Sequence, residues 1–390
     1  MQYLILDLNV LKRIFMKIAN LVFNSFINDS RVIKESMSLG ENNFKVEVIA
    51  HLDKGLQKLE QQHNYKVLRF SYLDRKITTS KFGKLKAYLK YLQESVAYTK
   101  NFDILHCNDL NTLPIAFIIK QFFNKDIKVV YDAHEYETEI NGLSGVQKKV
   151  TKLLEKFLIK YTDSVICVSD AIANEYVELY NIKKPDLVLN TPLYQEVEKK
   201  DIFRETFNIA KEKTIFLYQG GLSSGRGIEI LLETFKTIEN KNTAIVFMGY
   251  GPLESLVQDA EKEYENIYFH NAVSPEVLLN YTSSADFGIS TIEDSCLSYR
   301  YCLPNKMFEY IMAGLPIIVS NLPEMKRLVQ NNEIGVVVPQ NTPEGLQTAI
   351  KEAVKLDKQE LQENLQKVKE VYNWEEQEKI LLNIYKELEK

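Results

Sequence analysis

The sequence predicts an α/β protein with two domains, each a parallel β-sheet covered by helices on both faces. Short runs of β-branched and aromatic residues alternate with helix-length segments along nearly the whole chain. The alternation stops once, at the polar passage 195–201, and then restarts. The length of 390 residues is about twice the preferred size of a single hydrophobic core.

The strand-like runs define the two domains in order along the chain. Those of the first domain are Lys17–Phe23, Lys45–Ala50, Ile104–Cys107, Val129–Asp132 and Ser164–Val168. Those of the second are Thr214–Tyr218, Thr243–Phe247, Ile267–Phe269, Phe287–Ser290, Pro316–Val319 and Gly335–Val338. We therefore expect an N-terminal domain over 16–195, a C-terminal domain over 196–375 and a hinge near 193–203. The last helix, including residues 376–390, is expected to return towards the first domain, and residues 1–15 to form a peripheral extension.

Composition and charge exclude several classes of protein. A net charge of -5 argues against a dedicated nucleic-acid-binding protein, which usually carries a basic excess. Residues 1–195 hold 27 Lys and Arg against 22 Asp and Glu, so the acidic excess lies in the second half. The four cysteines form no Cys-x-x-Cys pair, and no apolar run approaches the roughly 18–20 residues that span a membrane. Residues 1–15 do not resemble a signal peptide, so we expect a cytoplasmic protein.

A glycine-rich segment follows the first strand of the second domain. Gly220 and Gly221 come directly after that strand, and Arg226 precedes a helical pattern over 228–238. Glycines let the backbone approach a ligand, the N–H groups at a helix start attract phosphate, and a guanidinium binds phosphate bidentately. The segment matches neither the dinucleotide fingerprint nor a Walker loop. It predicts a phosphate-binding loop, with a flexible turn and a solvated arginine as the alternative.

Two further segments of the second domain combine a turn with polar chemistry. Gly249 and Gly251 follow a strand, where turn geometry alone is enough to explain glycine. The stretch 301–316 predicts a short helix, on which Lys306 and Glu309 share one side. Either the two side chains pair on the surface, or the helix start faces a nucleotide, with Lys306 near phosphate and Glu309 accepting from a ribose diol.

In the first domain, polar side chains follow buried strands. Asp132, His134 and Glu135 follow one of them. A histidine at a strand end can donate to a sugar hydroxyl or a leaving oxygen, and a neighbouring acid can orient it, although a structural histidine is the alternative. Asp109 and the segment 28–31 also follow strands, where simple helix capping is the alternative.

The sequence favours a site without a metal or a cofactor. It contains no Asp-x-Asp motif, and its five histidines show no zinc-binding spacing. Basic side chains and helix N-termini are therefore expected to oppose the charge of a bound phosphate.

The chain resembles the family 4, or group 1, glycosyltransferases, whose GT-B fold places two Rossmann-like domains face to face across a cleft. The resemblance extends over nearly all of residues 16–390. Its strongest motifs are Tyr218-Gln219-Gly220 with Arg226-Gly227, Gly249-x-Gly251-Pro252, and Pro304-x-Lys306-x-x-Glu309-Tyr310 with Gly314-x-Pro316. Weaker matches are Asn28-Asp29-Ser30-Arg31-Val32, Asp132-x-His134-Glu135 and Val165–Ser169.

The resemblance implies transfer of a sugar from a nucleotide diphosphate to an acceptor, with retention of anomeric configuration and without an essential metal. The C-terminal domain would bind the donor and the N-terminal domain a glycan or lipid-linked acceptor, in the synthesis of a surface polysaccharide or glycolipid. By the same resemblance Arg226 contacts the diphosphate, Glu309 the ribose and His134 the transferred sugar, and these are the expected catalytic residues. The donor site is expected to include also Gly220, Gly221, Gly249, Gly251, Tyr301, Leu303, Asn305 and Lys306, and the acceptor site Asp29, Arg31, Asp109 and Glu135.

Two positions depart from the family pattern. The first glutamate of the family's Glu-x7-Glu element is Tyr301 here, so the usual carboxylate towards the donor sugar is missing. The first basic residue of the donor loop is Gly221, which leaves Arg226 and Lys306 for the diphosphate. Two other classes therefore stay open: a nucleotide-sugar epimerase of the same architecture, and a catalytically inactive subunit that binds sugar nucleotides.

The first domain also carries lysine-rich amphipathic segments, over 76–100 and 146–160. Such helices can lie on anionic lipid at the inner face of the membrane and meet a lipid-linked acceptor there. The alternative is a pair of ordinary helices with one core face and one solvated face.

Overall fold

The computed structural model describes residues 15–71, 80–240 and 242–389. These residues form two β-sheets with alternating helices, which confirms the predicted α/β fold. Nearly all of the expected extension over residues 1–15 lies outside the described residues. The strands are β1 (Lys17–Leu21), β2 (Lys45–Leu52), β3 (Leu59–Gln61), β4 (Tyr65–Ser71), β5 (Ile104–Asn108), β6 (Lys128–Ala133), β7 (Ser164–Cys167), β8 (Asp186–Leu187), β9 (Thr214–Gly221), β10 (Thr243–Tyr250), β11 (Ile267–Asn271), β12 (Phe287–Ser290), β13 (Ile317–Ser320) and β14 (Gly335–Val338).

Helices connect the strands and cover both faces of each sheet. Those of the first domain are α1 (Ser30–Glu41), α2 (Lys81–Thr99), α3 (Leu113–Phe122), α4 (Gly145–Leu158) and α5 (Asp170–Tyr180), with a 3₁₀ turn at Ile159–Tyr161. The helices that follow are α6 (Ile202–Phe207), α7 (Ile228–Thr237), α8 (Glu254–Glu263), α9 (Pro275–Thr282), α10 (Leu297–Arg300), α11 (Asn305–Met312), α12 (Pro323–Asn332), α13 (Pro343–Ala353), α14 (Lys358–Val371) and α15 (Trp374–Leu388).

The two sheets have the open, crossed-over topology expected of parallel strands linked by helices. The first sheet has the order β3-β4-β2-β1-β5-β6-β7-β8, with β3 antiparallel to β4. The second has the order β11-β10-β9-β12-β13-β14, with all neighbours parallel. Central strands such as β5 and β12 are buried along their whole length, because helices cover both faces. Ligands of such sheets collect beyond the carboxyl ends of the strands.

The structure corrects the predicted strands in two respects. It adds β3, β4 and the two-residue β8, which the sequence pattern did not reveal. In β4 the alternation of apolar and polar residues is interrupted because Arg69 occupies a buried position. Its guanidinium donates to the carbonyl oxygens of Ser25 at 3.0 Å and Phe26 at 3.2 Å. Three of the glycines predicted to follow β9 and β10 instead end those strands, since Gly220 pairs with Gly249 and Gly221 with Tyr250 in the ladder. Gly251 follows β10, as predicted.

The final helix crosses back to the first domain, as predicted. At its start, the indole N–H of Trp374 donates to Ser38 on α1 at 2.9 Å. Further along, the hydroxyl oxygen of Tyr385 lies 2.7 Å from Nδ1 of His106 on β5. Helix α15 therefore packs its apolar side on the first sheet, although it follows the second domain in the sequence. Within the described ranges, no helix combines the length and apolarity needed to cross a bilayer.

Candidate active site

A cleft of about 700 Å³ lies between the two sheets, at the carboxyl ends of their strands. Its first wall is the loop after β1 together with the end of β6, and its second wall is the end of β9 together with the start of α11. Ten of the residues predicted for the site line the cleft: Asp29, Arg31, His134, Glu135, Gly220, Arg226, Leu303, Asn305, Lys306 and Glu309.

On the second wall, Glu309 is held by a neutral amide. Gln219 donates through Nε2 to Glu309, while the Gln219 carbonyl oxygen accepts from the hydroxyl of Thr282 at 2.8 Å. Because a carboxylate only accepts hydrogen bonds, the amide nitrogen of Gln219 must be the atom that faces Glu309. Burial raises the pKa of Glu309, opposed by Gln219 and by the charge of Lys306. The carboxylate is thus positioned by a rigid strand and aimed at the cleft.

Lys306 is buried and does not pair with Glu309 on the surface, which overturns the alternative stated above. Its Nζ lies 3.6 Å from the centroid of the Tyr218 ring, a distance typical of a cation–π contact. Burial and the nearby Arg226 guanidinium lower the pKa of Lys306 well below its usual range. A bound anion between Lys306 and Arg226 would relieve this repulsion.

Arg226 reaches the cleft from the loop between β9 and α7. Its guanidinium lies over the ring of Tyr299, 4.9 Å from the centroid. The loop needs Gly227, whose φ is +80° and whose position would bring a Cβ to 2.1 Å from the Thr291 carbonyl oxygen. Gly227 therefore shapes the turn that carries Arg226.

The structure gives two of the predicted donor-site glycines a steric reason that does not involve a ligand. A Cβ on Gly249 would lie 1.9 Å from the carbonyl oxygen of Gly220, and one on Gly251 would lie 2.4 Å from that of Leu222. Neither residue lines the cleft, and the same is true of Gly221. A Cβ on Gly221 would meet open space, so this position has room for the basic side chain that the family pattern places there.

On the first wall, His134 is held by a buried anion. Its Nε2 lies 2.9 Å from Oδ1 of Asn108 and 3.4 Å from Oδ2 of Asp132. Although burial opposes its charge, the carboxylates of Asp109 and Asp132 raise the pKa of His134 to about 10. His134 is thus protonated on both ring nitrogens at neutral pH and presents a positive charge to the cleft.

Arg31 lines the cleft, but its guanidinium is occupied by the protein. Its Nε and Nη2 donate to the two oxygens of Asp132, each at 2.8 Å, and its Nη1 donates to the Val188 carbonyl oxygen at 2.7 Å. Such a bidentate pair holds the pKa of Asp132 well below its usual range despite burial. The geometry supports a structural role for Arg31 in place of the predicted contact with an acceptor.

The remaining predicted residues lie in different surroundings. Asp29 caps α1, accepting from the backbone N–H of Val32 at 3.4 Å, as the capping alternative predicts. Glu135 is exposed at the cleft and lies 3.5 Å from the Ser298 hydroxyl of the second domain. Asp109 does not line the cleft, and the Tyr301 hydroxyl points away from it to Glu175 of the first domain, at 3.4 Å.

The structure brings to the site several residues that sequence reasoning did not select. Asn108, which accepts the His134 hydrogen bond, ends a strand that otherwise looks like plain core. The loop after β1 contributes residues 24–27, where Phe26 adopts a φ of +51°. A bulky residue in the left-handed region is strained. A conformational outlier of this kind cannot be recognised from residue type alone.

Comparisons with known proteins identify the class. A family model described as "Glycosyltransferase Family 4" matches residues 32–190, and one described as "Glycosyl transferases group 1" matches residues 213–355. Among solved structures, sucrose-phosphate synthase from Thermosynechococcus elongatus has a TM-score of 0.77 at 18% identity, covering 96% of this chain and 99% of that one. Anabaena HepE in complex with UDP-glucose has a TM-score of 0.73 at 16% identity, with 96% and 99% covered. Fold and site together define a GT-B glycosyltransferase.

The chain belongs to the group 1 glycosyltransferases of family 4. The uncharacterized glycosyltransferase MJ1607 of Methanocaldococcus jannaschii is 23% identical over 73% of this chain and 75% of its own length. The chitobiosyldiphosphodolichol beta-mannosyltransferase of Candida albicans is 25% identical over 61% of this chain. The chain covers 57% of that enzyme's length.

Proposed function

We propose that this protein transfers a sugar from a nucleoside diphosphate sugar to a glycan or lipid-linked acceptor, with retention and without a bound metal. The observation that carries the proposal is the meeting of Lys306, Arg226 and Glu309 at one wall of the cleft. Arg226 lowers the pKa of the buried Lys306 by charge repulsion, which a diphosphate between the two basic groups would relieve, and Glu309 would accept from a ribose hydroxyl. Together they match the two ends of a nucleoside diphosphate.

The proposed reaction exchanges two bonds at the anomeric carbon. The bond to the diphosphate oxygen breaks, the acceptor oxygen forms a bond to the same carbon, and the acceptor proton leaves with the nucleoside diphosphate or to solvent. Negative charge develops on the departing phosphate, where Arg226 and Lys306 stabilise it more in the transition state than in the ground state. His134, at the opposite wall, can donate to the transferred sugar.

Metal independence is proposed from the acidic groups of the described residues, and retention is proposed from the family to which the chain belongs. Three acidic side chains line the cleft: Glu309 is engaged by Gln219, Asp29 caps a helix, and Glu135 lies 3.5 Å from the Ser298 hydroxyl. Glu35, His106 and Asp132 come close enough to hold a cation, but Arg31 already supplies the positive charge there. We expect transfer to continue in EDTA and the product to keep the donor's anomeric configuration in its NMR spectrum.

The names of relatives support the kind of acceptor. One relative is named for a mannosyl transfer to chitobiosyldiphosphodolichol, and another, from Bacillus subtilis, for teichuronic acid biosynthesis. Both names point to glycan assembly. A lipid-linked saccharide is accordingly the proposed acceptor for this chain.

A thermal-shift screen tests the donor half of the proposal. UDP, GDP, ADP and dTDP and their sugars are compared, because a ligand that binds the native state raises the apparent stability. At a concentration of 100 times its Kd, the correct nucleotide adds about 2.7 kcal/mol. Absence of a shift with every nucleotide would exclude the proposed donor site.

We further propose that the first domain contacts an anionic membrane at the inner face of the cytoplasmic membrane. On α2, Phe82, Leu85 and Leu89 are 77%, 52% and 53% exposed. On α4, Val146 and Leu153 are 78% and 69% exposed. Helix α3 packs between these helices, and exposed lysines such as Lys84, Lys86, Lys149 and Lys156 flank the apolar side chains.

Two equally exposed valines give a matched test of this contact. Val150 on α4 and Val371 on α14 are both 58% exposed. Inserting a valine into lipid contributes about 1.5 kcal/mol, so Val150→Asn is expected to reduce binding to phosphatidylserine vesicles about tenfold, and Val371→Asn to leave it unchanged. Salt-insensitive or absent flotation of the wild-type protein would remove the membrane proposal without affecting the transfer reaction.

A further inference from the structure

We propose that Tyr385, on the helix that crosses back from the second half, is a positioning residue for His134 and acts through His106 and Asp132. The four side chains form a continuous polar chain that runs along one face of the first sheet to the cleft. Tyr385 lies 2.7 Å from His106, His106 lies 3.4 Å from Asp132, and Asp132 lies 3.4 Å from His134. The inference rests on the proposed function to the extent that His134 faces the transferred sugar.

Asp132 is the centre of the chain and can only accept hydrogen bonds. Its oxygens receive Arg31 bidentately at 2.8 Å, and the charge of Arg31 keeps the carboxyl ionised. The neighbouring Glu35 lies 3.0 Å from Arg31, but burial raises its pKa, so Asp132 is the anion of this cluster. An ionised carboxylate has no proton to donate, so each histidine nitrogen that faces it must carry one.

This requirement fixes the tautomer of His106. Its Nε2 lies 3.4 Å from Asp132 and 3.5 Å from Glu35, and because Asp132 is the ionised partner, Nε2 carries the proton. Burial lowers the pKa of His106, so the ring is neutral and its Nδ1 is an acceptor. The Tyr385 hydroxyl, 2.7 Å from Nδ1, must then be the donor. The donor and the acceptor of each of these hydrogen bonds are therefore assigned, starting from the ionised Asp132.

The same reasoning fixes one nitrogen of His134. Asn108 donates through Nδ2 to Asn20 and, at 2.9 Å, to the Leu21 carbonyl oxygen, so its Oδ1 faces the His134 ring as an acceptor. Nε2 of His134 therefore carries a proton in both charge states, and the proton that titrates is on Nδ1, 3.7 Å from Asp109. The charged and titratable groups around this ring are Arg31, Glu35, His106, Asp109, Asp132, Glu135 and Glu137.

Tyr385 acts on His134 because donors to one carboxylate oxygen compete. Oδ2 of Asp132 is shared by Arg31, His106 and His134. Without the Tyr385 hydroxyl, Nδ1 of His106 accepts no hydrogen bond from the described residues, so the Nε2–H on the other side of the ring becomes a weaker donor to Asp132. The hydrogen bond from His106 to Asp132 weakens, and Asp132 attracts its remaining donors more strongly. The protonated form of His134 becomes more stable.

The test is Tyr385→Phe, with Tyr176→Phe as the matched control. Tyr176 is equally buried, and its hydroxyl donates to Glu155, away from the chain. Proteins labelled with ¹⁵N at histidine are titrated by NMR without substrate, so the result does not depend on turnover. We expect the midpoint of His134 to rise by roughly half a pH unit in Tyr385→Phe and not in Tyr176→Phe. Coincident midpoints in Tyr385→Phe and wild type, or equal shifts in both variants, would overturn the proposal.

The wild-type spectrum provides a second test that needs no variant. The inference requires a proton on Nε2 of His106 and a lone pair on its Nδ1. A spectrum with the opposite tautomer at His106 would overturn the inference even if Tyr385→Phe did not fold. Where turnover is measurable, Tyr385→Phe is expected to change kcat and its pH profile while KM for the donor stays within about twofold.

Discussion

Replacing Lys306 by methionine is expected to stabilise the protein and to weaken its binding of nucleoside diphosphate. The ammonium group lies buried over Tyr218, 3.6 Å from the ring centroid, and burial together with Arg226 lowers its pKa well below the usual range. Leaving a buried polar group imperfectly paired costs about 1–3 kcal/mol. Methionine fills a similar space without a charge, so the free energy of unfolding is expected to rise by about 1–2 kcal/mol at pH 7.

The pH dependence of this gain has a definite sign. The pKa of Lys306 in the folded protein lies below its value of about 10.4 in the unfolded chain, so the unfolded chain binds the proton more tightly. The penalty is therefore largest at low pH and disappears as the pH rises towards 10.4. Denaturant unfolding at pH 7 and pH 10 is expected to show a smaller difference between Lys306→Met and wild type at pH 10.

Binding of UDP, GDP, ADP and dTDP is expected to change in the opposite direction. A charge-assisted contact contributes about 1.5–3 kcal/mol, so calorimetry is expected to show affinity about 10- to 150-fold weaker in Lys306→Met for the preferred nucleotide. Lys326→Met, which removes an exposed lysine on α12, is the control and should bind as wild type. Unchanged affinity in Lys306→Met would refute the assignment of this residue to the diphosphate.

Three further predictions concern single side chains of the cleft. Arg226→Ala is expected to weaken nucleotide binding at least tenfold, whereas Arg300→Ala, which removes an exposed arginine paired with Asp294, should leave the calorimetric Kd unchanged. Glu309→Ala is expected to weaken binding of the same nucleotide about tenfold or more, and equal affinity by calorimetry would reject its contact with ribose. His134 has its pKa raised to about 10 from about 6.5, so its stabilising charge is fully present below pH 6.5 and is lost as the pH rises through 10. Between pH 7 and pH 9 the free energy of unfolding should therefore fall by less in His134→Gln than in wild type, the difference being up to about 2 kcal/mol. If the free energy of unfolding changes with pH equally in both proteins, the ion pairs of His134 are contradicted.

Much of the second domain could be predicted because its signals are local. Strand, glycine turn and helix start follow one another within a few residues, so the sequence pointed to Arg226 and to the helix that carries Lys306 and Glu309. Even there, spacing alone left a surface ion pair open. A tertiary contact excludes that ion pair. Gln219, which lies on another element 90 residues away in sequence, donates a hydrogen bond to the carboxylate of Glu309.

The site in the first domain was less accessible to sequence reasoning because its contacts are long-range. Arg31 and Asp132 are 101 residues apart, and His106 and Tyr385 are 279 residues apart. A pattern of residue types does not reveal that an arginine in a cleft is already bound by the protein. The sequence did identify Asp132 and His134 as neighbours at a strand end, which is the local part of the same network.

The central claim is transfer of a sugar across this cleft, and product analysis by mass spectrometry tests it most directly. The protein is incubated with the nucleotide sugar selected by the thermal-shift screen, with and without a lipid-linked saccharide acceptor. We expect nucleoside diphosphate and an acceptor heavier by one sugar to form in equal amounts when both substrates are present, and neither product to form in Arg226→Ala. Conversion of the donor sugar without acceptor would indicate the epimerase, and binding without any product on a broad acceptor panel would indicate an inactive binding subunit; either result contradicts the account.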